Sequence, residues 1–431
     1  MARPTIFARS SGPAPAGVAV FRISGPLAGP ALEQLTGTRG TPRRARLTTL
    51  RRRDGSTLDE GLALWFPGPG SFTGEDVAEL HLHGSVAVER ALADEMSALG
   101  IEPATAGAFT LRAFEAGRLD LAQAEGLADL LSAETEGQRR QALGQLGGRL
   151  SERAEAWRAE LLRIFAMIEA SLDFPDEEDV PDSVADGLAT AVQALRTSLR
   201  DALDGAEVAS RLRDGVRVVL TGPPNAGKSS LLNALAGEER AIVSEVAGTT
   251  RDVVEVRTEI AGHLVVLTDT AGLRDTSDPV ERIGVVRAEA ARVSADIVLL
   301  LCPARQIVAS PTDPDVIALA SRADEMADDA TLPDGWVPVS VRTNDGTAEL
   351  MAMLRSRLGR AAGGVLTRTR HVAAVRAALT ALPGIDSDIL RQPELVAACL
   401  QRTLRHLDEL TGRIAPDEVL GAIFAEFCIG K

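Results

Sequence analysis

The chain has 431 residues, enough for two to four domains at about 100–200 residues each. Its composition, 45% hydrophobic and 25% charged, is that of a soluble globular protein; with only 3% aromatics and no Tyr, Ala, Leu and Val must build the cores, and a base-stacking platform is disfavoured as the main binding mode. With 46 Lys and Arg against 61 Asp and Glu, the net charge of −15 argues against non-specific DNA binding but leaves room for a local basic patch that holds RNA.

The first stretch, to about residue 117, reads as mixed strand, turn and helix. Val18 to Ile23 is a strand ending in Ser24-Gly25-Pro26, and Leu62 to Phe66 is another, closed by Pro67-Gly68-Pro69-Gly70. Val77 to His83 alternates apolar and polar, as a half-buried strand does, and Ser85 to Leu99 is helical. His81 and His83 share one face of their strand and are expected to be surface histidines, not a metal pair. Arg43, Arg44, Arg46, Arg51, Arg52 and Arg53 form a basic run, expected to be a solvated loop, with contact to RNA or a partner protein as the alternative.

From Leu119 the period becomes helical. Leu150, Ala154, Trp157, Leu161, Ile164, Ile168 and Leu172 form one apolar stripe, and Pro175 is expected to end that helix. The acidic run Asp176, Glu177, Glu178, Asp179 and Asp182 is expected to be a solvated loop. One further helical stretch is expected over Ser183 to Arg213. At Asp214-Gly215 the pattern switches to strands alternating with helices, predicting a parallel sheet wound with helices to about residue 360. Beyond Gly363-Gly364 the chain is helical again, from His371 to Phe427, so an α/β unit is inserted between helical stretches that can form one discontinuous bundle. Cys302, Cys399 and Cys428 are too few and scattered for a disulfide framework or a four-Cys zinc site. No apolar run reaches the roughly 18 residues of a membrane span, and no charged-then-apolar leader opens the chain, so a cytosolic protein is expected.

Val216 to Thr221 is a short apolar strand running into Gly222-Pro223-Pro224-Asn225-Ala226-Gly227-Lys228-Ser229 and then a helix from Ser230. This is the phosphate-loop pattern in its strand–loop–helix setting: backbone N–H groups surround phosphates, Lys228 neutralises β/γ charge and the Ser229 hydroxyl is a Mg²⁺ ligand. Gly248-Thr249-Thr250-Arg251-Asp252 offers a threonine, Thr250, to the Mg²⁺ shell. The strand Leu264 to Thr268 ends in Asp269-Thr270-Ala271-Gly272, with Asp269 for Mg²⁺-bound water and Gly272 for the γ-phosphate. Position 273 is Leu, which cannot orient an attacking water as Gln does, so positive charge and water positioning must come from elsewhere. For guanine, the best candidate is Ser321-Arg322-Ala323-Asp324, where Asp324 keeps the acceptor for the base's N1 and N2 donors and Ser321 lacks the usual Asn amide. Guanine preference with weaker affinity is expected. Ser340-Val341-Arg342 matches the loop that backs the base.

Along nearly its whole length the chain resembles the MnmE (TrmE) family of tRNA uridine-modification GTPases. The resemblance rests on Arg22-Ile23-Ser24-Gly25, Ser71 to Asp76, Leu119 to Glu125, Asp173 to Glu178, Val280 to Gly284 and the terminal Phe427-Cys428-Ile429-Gly430-Lys431. It implies four segments: residues 1–117, an α+β domain that binds tetrahydrofolate and dimerises; 118–213 and 363–431, two parts of a discontinuous all-α bundle; and 214–362, an inserted Ras-like α/β GTPase domain. It implies a K⁺ ion held by Asn225, Ser244, Val246 and Thr249 where an arginine finger puts its charge, with Glu281 helping to orient the attacking water. On the residues alone, Glu281 reads first as an ordinary acid at a helix N-terminus, and the resemblance reverses that. The nucleotide-binding set it implies is Asn225 to Ser230, Ser244, Glu245, Val246, Ala247, Gly248, Thr249, Thr250, Asp269, Thr270, Ala271, Gly272, Ser321 to Asp324 and Ser340 to Arg342. Folate contacts implied are Arg22, Glu79, Arg118 (where the family commonly has Lys) and Lys431, with Cys428 nearby and its role open. The implied activity adds an aminomethyl or carboxymethylaminomethyl group to C5 of the wobble uridine of certain tRNAs. The implied partners and cofactors are a second copy of the chain, the flavoprotein MnmG in a heterotetramer, tRNA, GTP, Mg²⁺, K⁺ and 5,10-methylenetetrahydrofolate, for which 5-formyltetrahydrofolate is an analogue. A ribosome-assembly GTPase without modification chemistry is the alternative, disfavoured by the folate-domain motifs and the terminal Cys-Ile-Gly-Lys.

Overall fold

The computed structural model describes residues 3–172, 182–238, 241–242, 255–269, 295–313, 315–327, 330–359, 364–384 and 393–431. These fall into two compact units, one of Met1–Ala128, Gln145–Asp176 and Gln392–Lys431, the other of Asp129–Gly144 and Glu177–Arg391.

The first unit is built on a six-stranded sheet of β1 (Ile6–Arg9), β2 (Ala16–Ser24), β3 (Arg46–Arg51), β4 (Thr57–Phe66), β5 (Val77–Gly84) and β6 (Glu102–Pro103), in the order β3-β4-β5-β2-β1-β6. All pairs are antiparallel except β1 with β6. Alternation decides the faces. Phe21, Ile23, Ala63, Trp65, Leu80 and Leu82 pack with Leu32 and Leu35 of the helix Ala28–Thr36 and Leu92 and Met96 of the helix Val86–Ala98. Ser85 caps the second helix, its side chain accepting from the Val88 N–H. The opposite face carries Leu47 beside Leu62 and Leu62 beside His81. His83 also lies on this face, paired with Asp59 at 2.8 Å, as expected of a surface histidine. The basic run lies on β3 and the turns around it, exposed except for Arg46.

The same unit holds the helix Arg149–Leu172, whose stripe from Leu150 to Ile168 is buried as the spacing predicts. It packs against the helix Pro393–Thr411, with Arg158 reaching Asp408 at 3.1 Å. Its last residue is Leu172; Pro175 and the acidic residues 176–179 lie outside the described residues.

In the second unit, helices from before and after the inserted sheet also pair, Asp182–Asp204 against Thr369–Ala381. The expected single helical stretch to Arg213 is instead two helices, Asp182–Asp204 and Ala206–Asp214, separated at Gly205. Glycine is a weak helix former, which favours a break here. Gly364 lies against this point, and a Cβ on it would meet the Gly205 carbonyl oxygen at 2.6 Å, so position 364 has no room for a side chain. Nearby, one carboxylate gathers both flanks of the sheet: Asp129 accepts from Arg213 at 3.0 Å and from Arg368 at 2.7 Å.

The second sheet comprises β7 (Val216–Thr221), β8 (Ala241–Ile242), β9 (Glu255–Ile260), β10 (His263–Asp269), β11 (Ile297–Pro303), β12 (Val316–Ser321) and β13 (Trp336–Val339), in the order β13-β12-β11-β7-β10-β9-β8. Five strands pair in parallel as expected, but β9 runs against them, pairing antiparallel with both β10 and β8, a correction to an all-parallel sheet. The reason is the tight turn Ala261-Gly262, with φ values of 52° and 85°, which returns the chain directly from β9 into β10 without a helix. The core is aliphatic, with Val218, Leu220, Leu267, Leu299 and Leu319 of the sheet buried in one cluster with Leu231, Leu235, Leu350 and Leu354 of the flanking helices.

Candidate functional site

The nucleotide-type site grows from β7. Because β10 and β11 flank it in parallel, β7 is central, and its next residues emerge at the carboxyl ends of three strands, where open α/β sheets bind ligands. Gly222 leaves the strand at φ 139°, with the Leu301 carbonyl oxygen 2.0 Å from where its Cβ would stand. Asn225 adopts φ 59°, a conformation Asn tolerates, and the helix Lys228–Glu238 follows. The buried Lys228 ammonium donates to the carbonyls of Gly222 at 3.1 Å and Pro223 at 2.9 Å, so it closes the loop around the space where phosphate oxygens would lie. Ser229 Oγ donates to Asp269 Oδ2 at 2.6 Å. Asp269 ends β10 opposite Leu220 and is 3% exposed. A hydroxyl and a carboxylate meeting at a helix N-terminus are hard oxygen donors of the kind that suits Mg²⁺.

Ser321 ends β12. Arg322 follows at φ 56°, then a 3₁₀ turn over Ala323–Glu325. Arg322 donates to the Asn225 carbonyl at 2.8 Å, tying this loop to the phosphate loop. Asp324 accepts from Ser340 Oγ at 2.5 Å and from Arg342 Nε at 2.7 Å, and the Ser340 hydrogen bond, then Arg342, hold its carboxyl below the ordinary range. Ala226, Gly227, Ser321, Asp324, Ser340 and Arg342 border a cavity of about 330 Å³. The structure thus brings the phosphate loop, Asp269 and the two base loops to one edge of one sheet. Ser244, Glu245, Val246, Ala247, Gly248, Thr249, Thr250, Thr270, Ala271, Gly272 and Glu281 lie outside the described residues.

A second cluster lies in the first unit. Arg22 on β2 and Glu79 on β5 are register partners, joined through two guanidinium nitrogens at 3.0 and 2.9 Å to Glu79 Oε1. The Arg22 guanidinium also stands 5.6 Å from the ring centres of Phe72 and Phe109. The C-terminus docks here: Ala106 bridges Ile429, Ser10 Oγ donates to the Gly430 carbonyl at 2.9 Å, and Phe109 N–H to the Lys431 carbonyl at 3.3 Å. Burial, and then the positive charge of Arg22, push the Lys431 amine below its ordinary value, with Glu79 and Cys428 opposing. Arg118 is exposed, its side chain beside Gly74. Cys428 is exposed and free. Phe72, in the loop between β4 and β5, and Phe109, in the helix Ala108–Glu115, were not singled out as site residues by sequence reasoning and become visible only in the fold. Another signal was available in composition: among 46 basic residues, Lys228 and Lys431 are the only lysines. A chain that uses Arg everywhere else keeps Lys where a compact ammonium is required.

That economy makes Lys431 testable by acylation. An amine held low in pKa carries more free base at a given pH. The C-terminal peptide should therefore reach half its maximal acetylation rate at a lower pH than an ordinary exposed lysine does. Arg22→Gln should move that point upward; an unmoved profile would mean Arg22 exerts no field there.

Two family models match the chain, the GTP-binding protein TrmE N-terminus over residues 5–118 and the MnmE helical domain over residues 121–428. Among curated proteins, the tRNA modification GTPase MnmE of Brucella anthropi is 46% identical over 99% of this chain and 98% of its own length. The proteins of the same name from Cereibacter sphaeroides and Rhizobium meliloti are each 47% identical, covering 99% of this chain and 100% and 99% of their own lengths.

Proposed function

Since the chain belongs to the MnmE family of tRNA modification GTPases, and is thus a GTP hydrolase acting in tRNA modification, we propose that its hydrolysis is K⁺-dependent and gates a folate-linked modification of the wobble uridine. With MnmG, the product is 5-aminomethyl- or 5-carboxymethylaminomethyl-uridine in certain tRNAs. The observation that carries the GTPase half is the 2.6 Å contact of Ser229 with Asp269 directly behind the phosphate loop.

In this reading Lys228 turns from its loop carbonyls to the β/γ-phosphates, and Ser229, Thr250 and Asp269 would hold Mg²⁺. Bound metal neutralises phosphate charge. Asn225, Ser244, Val246 and Thr249 would hold K⁺, and the ion would supply positive charge at the transition state beside Leu273, which cannot hydrogen-bond the attacking water. Glu281 orients the attacking water. Ala226, Gly227, Ser230, Glu245, Ala247, Gly248, Thr270, Ala271 and Gly272 complete the phosphate surroundings, and Ser321 to Asp324 with Ser340 to Arg342 receive the base.

Arg22, Glu79, Arg118 and Lys431 bind the folate, a reading supported by the convergence of Arg22, Glu79, two phenylalanine rings and the docked C-terminus. Cys428 belongs beside that site. The one-carbon chemistry belongs to the folate and the partner flavin; this chain binds, positions and switches. A homodimer is supported by Leu47, 67% exposed beside the exposed Leu62 on the outer sheet face. The proposed domain limits at 117, 213 and 362 fall between the helices Ala108–Glu115 and Leu121–Ser132, just before β7, and after the helix Thr347–Leu358. Among the described residues no helix is long and apolar enough to cross a membrane, in keeping with a cytoplasmic site of action.

The test is GTP hydrolysis in KCl against NaCl at equal ionic strength, with Asn225→Gly. Glycine is the cleaner variant because alanine at φ 59° adds roughly 1–2 kcal/mol of backbone strain to the loss of the side chain. We expect a K⁺ requirement that the variant loses. Equal wild-type rates in both salts would contradict the proposal.

A further inference from the structure

Asp324 is the acceptor that a guanine needs, and it is already taken. A carboxylate offers about four lone-pair positions, two on each oxygen. Ser340 Oγ occupies one on Oδ1 at 2.5 Å. Arg342 places two nitrogens on Oδ2, Nε at 2.7 Å and Nη2 at 2.5 Å, which fills that oxygen. The imino and exocyclic amino groups of guanine present two parallel N–H donors that require one open position on each oxygen. Only Oδ1 has one left. The same cavity holds a second unfinished group: the Ser321 hydroxyl, in a residue 7% exposed, has no hydrogen-bond partner among the described residues. A buried hydroxyl facing a cavity of about 330 Å³ without a partner is a group that a polar ligand completes. Arg322, the other arginine of these loops, is held away by the Asn225 carbonyl at 2.8 Å and does not compete.

We propose that Arg342 is a specificity-setting counter-ligand of Asp324, occupying the place of the guanine amino group until the nucleotide displaces it. This rests on the GTPase reading above. Under this proposal the exocyclic amine is the donor that would face Oδ2, so Arg342 lowers the advantage of guanine over hypoxanthine, which has the imino donor but no amine. Adenine remains disfavoured, because it offers neither donor and leaves Arg342 in place. The guanidinium is 76% exposed in the pair, so it can swing into water, and its hold on Asp324 is that of an exposed ion pair.

The experiment is calorimetric or competitive binding of GDP, IDP and ADP to the full chain in Mg²⁺, for the wild type, Arg342→Ala and Arg342→Lys. Removing an exposed ion pair should tighten GDP roughly two- to fivefold and raise the GDP-to-IDP preference by a similar factor, with ADP unchanged. Arg342→Lys, which keeps one charge but cannot fill both positions of Oδ2, should fall between. Arg342→Ala with an unchanged GDP-to-IDP ratio, or with weaker GDP binding, would overturn the proposal while leaving the GTPase reading intact. A wild type that binds no guanine nucleotide would overturn both.

Discussion

Asp269→Asn is expected to lower Mg²⁺-dependent GTP hydrolysis by at least about a hundredfold, the cost of removing a charge-positioning group from a buried phosphoryl-transfer site. The residue closes β10, is 3% exposed, and takes the Ser229 hydroxyl at 2.6 Å. Asparagine keeps the size and an oxygen acceptor for Ser229, so the strand end and helix start keep their packing. It removes the negative charge that would order Mg²⁺-bound water. Loss of hydrolysis should therefore come with intact folding and with GDP binding measured in EDTA nearly unchanged. Activity within about threefold of wild type would mean that the Ser229–Asp269 pair is a structural hydrogen bond and that Mg²⁺ is held elsewhere.

Gly222→Ala is expected to cost more than about 4 kcal/mol, beyond what most single substitutions cost and close to the whole stability of a marginal domain. Its Cβ would stand 2.0 Å from the carbonyl oxygen of Leu301, a backbone atom held by the pairing of Leu301 with Leu319 of β12. The φ of 139° adds a second penalty. Gly227→Ala separates the two effects. Gly227 also has a positive φ, 90°, but no atom lies within 4 Å of its Cβ position. Only the conformational strain applies there, about 1–3 kcal/mol. Peptide-resolved hydrogen exchange over β7 and β11 in the full chain should show global loss of protection for Gly222→Ala and modest loss for Gly227→Ala. Equal losses would show that close approach contributes nothing.

What the residues disclose on their own depends on how local the cause is. The helix after Ser85, the stripe from Leu150 to Ile168 and the phosphate loop are written in short-range spacing, and each appears where the spacing puts it. The break at Gly205 falls on a weak helix former, whereas the close approach of Gly364 to the Gly205 carbonyl is not local, since the intervening sheet separates the two in sequence. The antiparallel direction of β9 is equally silent in a pattern of alternating side chains, because alternation is the same in either direction. Within the sites, Ser229 with Asp269 follows from motif order. The stacking of Arg22 between Phe72 and Phe109, and the grip of Arg342 on Asp324, depend on register and loop placement that no spacing encodes. The retention of only two lysines was open to counting from the start.

The most direct test of the link between GTP hydrolysis and tRNA modification is mass spectrometry of wobble nucleosides. The tRNA would come from cells lacking their own enzyme of this family and carrying this chain, either wild type or as Asp269→Asn. We expect 5-aminomethyl- or 5-carboxymethylaminomethyl-type uridines with the wild type and unmodified C5 positions with the variant, at equal protein levels. Unmodified tRNA with both chains, or full modification with Asp269→Asn, would contradict a role for this GTPase site in wobble-uridine modification.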